Sequence, residues 1–350
     1  MKITQIMFSE GWGGAERLFV ELCSSLAQEG ILIQAIVRTG FVRRHALENI
    51  PGLEMAMVRA SGNWDFLAAA KVGRLVAHFQ PDLIHTHLSR ATWMGGKAGK
   101  THNIPTLATT HNRIKLKYCR NIQWFSTITL DLAEYLEQNC IDPLRIRTIP
   151  NFSTFEPVLL PPPMVRRSPV FVSFGRFVNK KGFRVLLEAF RKFIDLKGNT
   201  KLLLAGSGPL EEDLREWARA LGLDSHIKFP GWVENIAALL DGADIFVLPS
   251  LDEPFGIVLL EAMARGKPVV TTRTSGPMEV LDESSAYFAD TGDAGSLCAA
   301  MVRAAEDEEG RIARAVKALD AFNTLYTRAA VVEQFKNLYE DVINDKMKNG

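Results

Sequence analysis

The sequence predicts an α/β protein built from two similar-sized domains, each a doubly wound parallel sheet. Three observations carry that prediction. The chain has 350 residues, where a domain usually takes ~100–200. Short apolar runs alternate with helix-length segments in both halves, the pattern of parallel strands joined by crossover helices. A proline-rich stretch lies between the two series.

In chain order, Ile3–Phe8 is a short apolar run and predicts a strand, followed by a loop, Gly11-Trp12-Gly13-Gly14. From Ala15, Leu18, Phe19, Leu22 and Leu26 recur at helical spacing until Gly30, which predicts a helix with one buried face. Ile31–Val37, Asp82–His87 and Thr106–Thr110 read as further strands. Leu159–Pro169 holds four prolines in eleven residues; it cannot sustain a helix and suits a stiff inter-domain linker. The second series has strands at Val170–Phe174, Lys201–Ala205, Ile227–Phe229, Asp244–Leu248 and Pro268–Thr271. Thr327–Met347 is helical and amphipathic, with Val331, Phe335, Leu338 and Val342 on one side. The expected organisation is a first domain at 1–160, a second at 161–326, and a C-terminal helix at 327–350 packing back toward the first. Two such domains leave a cleft, and open parallel sheets bind ligands beyond the carboxyl ends of their strands.

Composition narrows the class. With 47% hydrophobic and 23% charged residues, a disordered or collagen-like chain is excluded. The 41 Lys+Arg against 40 Asp+Glu give a net charge of +1, so no nucleic-acid partner is expected. Cys23, Cys119, Cys140 and Cys298 are scattered, without the spacing of a disulfide framework or a zinc site. No apolar run reaches the ~18–20 residues that cross a bilayer, and Ser9 and Glu10 interrupt the N-terminal apolar stretch too early for a signal peptide. The expected location is cytoplasmic. Residues 1–160 hold 17 Lys/Arg and 13 Asp/Glu, while residues 161–350 hold 24 and 27. Chance accounts for such an imbalance; so does a first half that faces an anionic membrane surface or acceptor.

The residues suited to chemistry sit on strand-end loops. Gly13 and Gly14 stand where a strand turns into a helix, where the missing Cβ lets backbone N–H groups approach an anion; an ordinary βα turn uses glycines in the same way. The G-x-G-x-x-G spacing is absent. Gly95–Thr101 resembles a phosphate-binding P-loop but is one residue short between its glycines and ends a helix-like stretch, so it is rejected. Gly175-Arg176-Phe177-Val178-Asn179-Lys180-Lys181-Gly182 directly follows a strand and precedes a helix. Its Arg and Lys can converge on a diphosphate, one as a fork and the other as a point charge. In Leu204-Ala205-Gly206-Ser207-Gly208-Pro209 the small residues leave room for a flat ring or ribose. In Pro249–Gly256 and the helix after it, Glu253 and Glu261 stand eight apart, and each carboxylate can accept two hydroxyls of a sugar or ribose.

With these motifs the chain resembles the retaining nucleotide-sugar glycosyltransferases of family 4, which have the GT-B fold of two Rossmann-like domains. The resemblance covers nearly the whole chain: GGAER at Gly13–Arg17, IHTH at Ile84–His87, TTHN at Thr109–Asn112, GRFVNKKG at Gly175–Gly182, LAGSGP at Leu204–Pro209, the Glu253…Glu261 segment, and SGPMEV at Ser275–Val280. Pro254 stands where many members have Gly, and Ser275-Gly276-Pro277 varies the family's Gly-Gly loop before Glu279.

The resemblance implies roles for particular residues. Arg176 and Lys181 match the pair that neutralises the donor's diphosphate in place of a metal ion, so no cofactor or metal is expected. Glu253 matches the carboxylate that holds the transferred sugar, and Glu261 the one that binds the ribose. Phe255, Gly256 and Ile257 would offer backbone N–H groups, Gly206 would border the nucleotide, and Val233 would hold the base through its backbone. Gly14, with Gly13, would approach the diphosphate as the domains close, and His111 would sit beside the sugar. The implied activity is retaining transfer of a hexose from a nucleotide diphosphate sugar, UDP foremost, to a glycan or lipid-linked acceptor of lipopolysaccharide or surface polysaccharide synthesis. Two alternatives stay open: a sugar-nucleotide epimerase or hydrolase of the same fold, and a non-catalytic nucleotide-sugar-binding protein.

On the acceptor side, His87 and His111 both end strands beside polar loops, whereas His85, His45, His78, His102 and His226 read as packed or surface residues. Arg113, Lys115, Lys117 and Arg120 alternate with apolar residues, and Arg43-Arg44-His45 adds charge. Such a segment fits peripheral contact with an anionic membrane or lipid-linked glycan, and equally a solvated loop.

Overall fold

The computed structural model describes residues 1–62, 64–164 and 168–349. They form two compact units: Met1–Phe152 together with Arg328–Gly350, and Ser153–Thr327. The division falls ahead of the proline-rich stretch and not within it. That stretch was expected to be the linker; its residues Val165, Arg166 and Arg167 lie outside the described residues.

The first unit is a seven-stranded sheet: β1 (Lys2–Met7), β2 (Leu32–Arg38), β3 (Leu53–Val58), β4 (Leu83–His87), β5 (Thr106–Thr110), β6 (Trp124–Thr127) and β7 (Ile146–Thr148). The spatial order is β3-β2-β1-β4-β5-β6-β7, with every neighbouring pair parallel. Helices α1 (Gly14–Gln28), α2 (Phe66–Phe79), α3 (Leu88–His102) and α4 (Leu130–Gln138) supply crossovers. Both faces of the central strands are covered, which is why those strands read as near-continuous apolar runs. Ile3 and Met7 of β1 pack with Leu18, Phe19, Leu22 and Leu26 of α1 on one face. Ile6, one step out of phase, packs on the other face with Val72, Val76 and Met94.

The second unit is a six-stranded sheet: β8 (Val170–Phe174), β9 (Lys201–Ala205), β10 (Ile227–Gly231), β11 (Ile245–Leu248), β12 (Val269–Thr272) and β13 (Tyr287–Ala289). Its order is β10-β9-β8-β11-β12-β13, again parallel throughout. Helices α5 (Phe183–Lys197), α6 (Glu211–Ala220), α7 (Ile236–Asp241), α8 (Ile257–Ala264), α9 (Ser275–Val280), α10 (Ala294–Glu306) and α11 (Glu308–Ala321) follow. Phe171, Leu186, Phe190, Phe193, Leu202 and Val247 form the centre of its core.

The last helix, α12 (Arg328–Asn349), belongs to the first unit. Val331, Phe335, Leu338, Tyr339 and Val342 enter the same core as α1. The apolar side of α12 completes one face of the first sheet.

In both sheets the chain order reverses once, between β1 and β4 and between β8 and β11. At such a point the loops from the two neighbouring strands diverge to opposite faces and open a crevice at the carboxyl edge. The glycines of the P-loop look-alike have a packing role. A Cβ on Gly95 would lie 2.4 Å from Thr86 Cγ2, and one on Gly99 would lie 2.2 Å from Thr106 Cγ2 and 2.8 Å from the Ile104 carbonyl oxygen. These glycines let α3 lie directly on the sheet. Gly99→Ala should therefore destabilise the first unit by roughly 1–3 kcal/mol through overpacking, read as a lower urea midpoint; an unchanged midpoint would contradict the close approach.

Candidate active site

In the second unit, the loops following β8, β9, β11 and β12 interlock at the carboxyl edge of the sheet. Gly175–Gly182 leaves β8 and Pro249–Gly256 leaves β11, so the two loops flank the point where the strand order reverses. They are tied together by backbone: the Leu251 and Asp252 N–H groups donate to the Lys180 carbonyl at 2.7 and 3.2 Å. Gly182 has φ +67°, and a Cβ there would lie 2.0 Å from the Pro249 carbonyl oxygen, so the approach requires glycine. The β9 loop joins through the Phe177 N–H, which donates to the Ser207 carbonyl at 2.9 Å, and the Leu210 N–H, which donates to the Phe177 carbonyl at 3.2 Å. Gly206, with φ +141°, would bring a Cβ to 1.9 Å from the Gly175 carbonyl oxygen.

These contacts place a charged pair. Lys181 Nζ donates to Glu253 Oε2 at 2.5 Å, and the fully buried Ser250 hydroxyl donates to the same oxygen at 3.0 Å. Both charged side chains are largely shielded from water. Burying a charge is costly without a partner, and here each supplies the other's. Arg176 is exposed. The loop then enters α8 through Gly256, whose φ of +90° is left-handed. Glu261 is buried on the second turn of α8. Phe255 is buried and Ile257 half-buried at the start of that helix, where free backbone N–H groups favour an anion. Val233 is half-buried in the segment after β10. Arg176, Lys181, Gly206, Glu253, Phe255, Gly256 and Ile257 thus share one edge of one sheet.

Two residues of this edge escaped the sequence reading. Ser250 steers the Glu253 carboxylate, and a lone Ser gives no signal. Gly276 lies in the first turn of α9, within the variant Ser-Gly-Pro segment; a Cβ on it would lie 2.5 Å from Phe255 Cα and N, and its N–H donates to the Glu253 carbonyl at 3.0 Å. The glycine of SGPMEV was the available clue.

In the first unit, Gly13 and Gly14 are exposed at the junction of the β1 loop and α1. Glu16 of the same motif is buried and accepts from the Ser9 hydroxyl, which pins that loop. His87 ends β4 and His111 follows β5. His111 Nε2 lies 3.1 Å from His87 Nδ1, and His87 Nε2 lies 2.9 Å from Gln5 Oε1. Both nitrogens of the buried His87 ring are therefore taken, so His87 stands behind His111 and does not itself face the edge. The row continues inward. Gln5 Nε2 donates to Tyr339 Oη at 2.8 Å, and Tyr339 Oη lies 2.8 Å from His85 Nδ1. His85 Nε2 lies 2.7 Å from Thr109 Oγ1, which lies 2.5 Å from Ser126 Oγ. His85, read from sequence as a packed residue, is fully buried. Gln5 and Tyr339 were missed because a lone polar position in a buried strand and one in a C-terminal helix carry no motif.

Arg113 is exposed beyond His111. It donates to Asp131 at 3.1 Å and its guanidinium lies 5.6 Å from the Tyr135 ring. In the segment after it, Ile114, Tyr118 and Cys119 are buried and Lys115, Lys117 and Arg120 are exposed.

Burial pushes the His85 imidazole down to about 3 and that of His111 to about 4, and holds His87 well below its ordinary value. Each is neutral at pH 7. A folded-state value below the unfolded value means that the unfolded chain binds more protons as the pH falls. Stability is thus lost from about pH 6.5 down to about 4, at ~1.4 kcal/mol per pH unit for each such group. Urea midpoints across that window should fall less steeply for His85→Gln than for the native chain; parallel curves would contradict the assignment.

The fold agrees with that of known proteins. Residues 163–318 match the model of glycosyl transferases group 1, and residues 12–153 match that of Glycosyltransferase Family 4. The lipopolysaccharide core biosynthesis glycosyltransferase LpsD of Rhizobium meliloti (strain 1021) is 32% identical over 349 residues, 97% of this chain and 98% of that protein. LpsE of the same organism, also a lipopolysaccharide core biosynthesis glycosyltransferase, is 30% identical over 345 residues, 97% and 98% of the two chains. Among solved structures, Anabaena Alr3699/HepE in complex with UDP superposes with a TM-score of 0.84 at 20% identity, covering 97% of this chain and 100% of that one. The sheet order, the interlocked strand-end loops and these full-length relatives place the chain in one family: it belongs to the group 1, family 4 glycosyltransferases and has their GT-B fold of two Rossmann-like domains.

Proposed function

We propose that the protein is a metal-independent retaining glycosyltransferase that moves a hexose from a UDP-sugar to a glycan hydroxyl in lipopolysaccharide core synthesis. The observation that carries this reading is the largely shielded Lys181–Glu253 pair at the carboxyl edge of the second sheet, with Arg176 exposed on the same β8 loop as Lys181. A nucleotide diphosphate sugar offers a partner to both charges: phosphate oxygens to Lys181 and Arg176, and sugar hydroxyls to Glu253. Glu261 would take the ribose hydroxyls, the N–H groups of Phe255, Gly256 and Ile257 the sugar or phosphate, and Gly206 and Val233 would border the nucleotide. In the first unit we assign His111 to the transferred sugar and Gly13 and Gly14 to the diphosphate. UDP as the nucleotide rests on HepE, solved with UDP and with UDP-glucose. The lipopolysaccharide acceptor rests on LpsD and LpsE.

Charge accumulates on the departing diphosphate as the bond to the sugar breaks. Fixed cations aimed there lower the barrier by about 3–4 kcal/mol per well-placed group, which is the work a metal ion would otherwise do. Glu253 holds a hydrogen bond from Ser250 and an ion pair with Lys181, an environment that suits binding hydroxyls and not attack on carbon. Retention then follows from front-face substitution: the acceptor oxygen bonds to the anomeric carbon on the side the phosphate leaves, and the leaving phosphate oxygen takes the acceptor's proton. The epimerase or hydrolase and the pure binding protein are separated from this reading by product analysis with and without acceptor.

Thermal-shift screening should show stabilisation by UDP-sugars above GDP- and ADP-sugars, about 2.7 kcal/mol at 100 times Kd. Mass spectrometry should then show a glycosylated core oligosaccharide with an α-linkage from an α-configured donor; an inverted linkage or a trapped covalent sugar–enzyme adduct would overturn the mechanism. Lys181→Gln, which keeps a donor beside Glu253, should lower kcat by roughly 10²–10³-fold with the fold retained by circular dichroism. Native turnover in that variant would mean the phosphate site lies elsewhere.

No described helix is long and apolar enough to cross a membrane. We further propose peripheral contact with an anionic lipid surface through the first unit. Trp64, Phe66 and Leu67 are exposed, with Lys97 Nζ 4.6 Å from the Phe66 ring and Lys117 Nζ 5.8 Å from the Trp64 ring. Aromatic rings beside lysines suit the headgroup layer. Co-sedimentation with phosphatidylglycerol vesicles should be strong at low salt and lost with Lys97→Glu/Lys117→Glu; equal binding to neutral vesicles would contradict the electrostatic part.

A further inference from the structure

The row of buried polar groups behind His111 has a direction. Each of its three histidines is neutral, so each ring carries one N–H donor and one lone pair. Gln5 fixes which is which, because its two ends differ. Its carbonyl oxygen faces His87 Nε2 at 2.9 Å and can only accept, so the His87 proton is on Nε2 and its Nδ1 is a lone pair. His111 Nε2, 3.1 Å from that lone pair, must then be the donor, which leaves His111 Nδ1 unprotonated. From the other end of the amide, Gln5 Nε2 donates to Tyr339 Oη at 2.8 Å. The hydroxyl in turn donates to His85 Nδ1 at 2.8 Å, so His85 carries its proton on Nε2 and donates to Thr109 at 2.7 Å. The row has one opposite setting, in which the amide turns over and every ring is protonated on Nδ1.

We propose that Gln5 and Tyr339 are positioning residues that hold His111 as its Nε2–H tautomer, so that it meets the ligand as a hydrogen-bond acceptor through Nδ1. The inference rests on the reading that His111 faces the transferred sugar and adds to it a sign: the ring accepts from a sugar hydroxyl and does not donate. It also gives the C-terminal helix a part in the site. Tyr339, from the last helix, is fully buried in the first unit and joins the two halves of the row through the amide. With Tyr339→Phe the amide is free to turn, and the tautomer of His111 is no longer tied to that of His85.

Long-range ¹H–¹⁵N correlation of the histidine-labelled full-length protein tests this without an activity assay. Peaks are assigned by replacing His85, His87 and His111 singly with Gln. The expected native spectrum shows all three rings protonated on Nε2 only; a His111 protonated on Nδ1, or rings of mixed type, would overturn the proposal. Tyr339→Phe and, independently, Gln5→Met should each introduce an Nδ1–H population at His111. Each should also lower kcat about tenfold, one hydrogen bond's worth, with the donor KM within about twofold. A pure Nε2–H signal at His111 in both variants would overturn the lock. The underlying reading fails separately: native turnover in His111→Ala would remove the ligand role while leaving the tautomer result standing.

Discussion

The second unit depends on one interaction, the ion pair of Lys181 with Glu253, held where four strand-end loops meet. Two opposite charges shielded from water are stable only together; removing one strands the other at a cost of about 3–5 kcal/mol. The pair is therefore set by everything that positions its two loops. Gly182 lies against the Pro249 carbonyl and Gly276 against the Phe255 backbone. The Lys180 carbonyl is shared by two N–H groups of the other loop. A side chain at either glycine would push the loops apart and lengthen the 2.5 Å contact.

The sheet sets the stage for that meeting. Because β8 and β11 are neighbours at the point where the strand order reverses, the loops that leave them open a crevice at the carboxyl edge. The first unit repeats the arrangement at β1 and β4 and fills it differently. In place of an ion pair it has a chain of neutral polar groups whose imidazoles are kept uncharged by burial. One edge is suited to anionic oxygens and hydroxyls; the other to a single, oriented hydrogen bond.

Much of this was legible in the sequence, and the reasons are local. β5, β8 and β9 coincide with the runs read as Thr106–Thr110, Val170–Phe174 and Lys201–Ala205, since central parallel strands must be apolar on both faces. β3, β6, β7 and β13 were not read. β3 is an edge strand with a half-exposed pattern, and β7 and β13 have only three residues, too few for periodicity to register. The loop motifs around Arg176, Lys181 and Glu253 were visible because glycines, charges and strand ends coincide there. Ser250, Gly276, Gln5 and Tyr339 were not, because their roles come from contacts made across distant segments. The first unit's ending at Phe152 likewise reflects which core each segment joins, a property that a proline count does not report.

The central claim is that the donor's diphosphate is received by Arg176 and Lys181 at the carboxyl edge of β8. A crystal structure of the protein with UDP tests it most directly. The account predicts β-phosphate oxygens within hydrogen-bond distance of both side chains, with Glu253 turned toward the space the sugar occupies. A nucleotide bound elsewhere, with Lys181 paired to Glu253 alone and Arg176 in solvent, would contradict it.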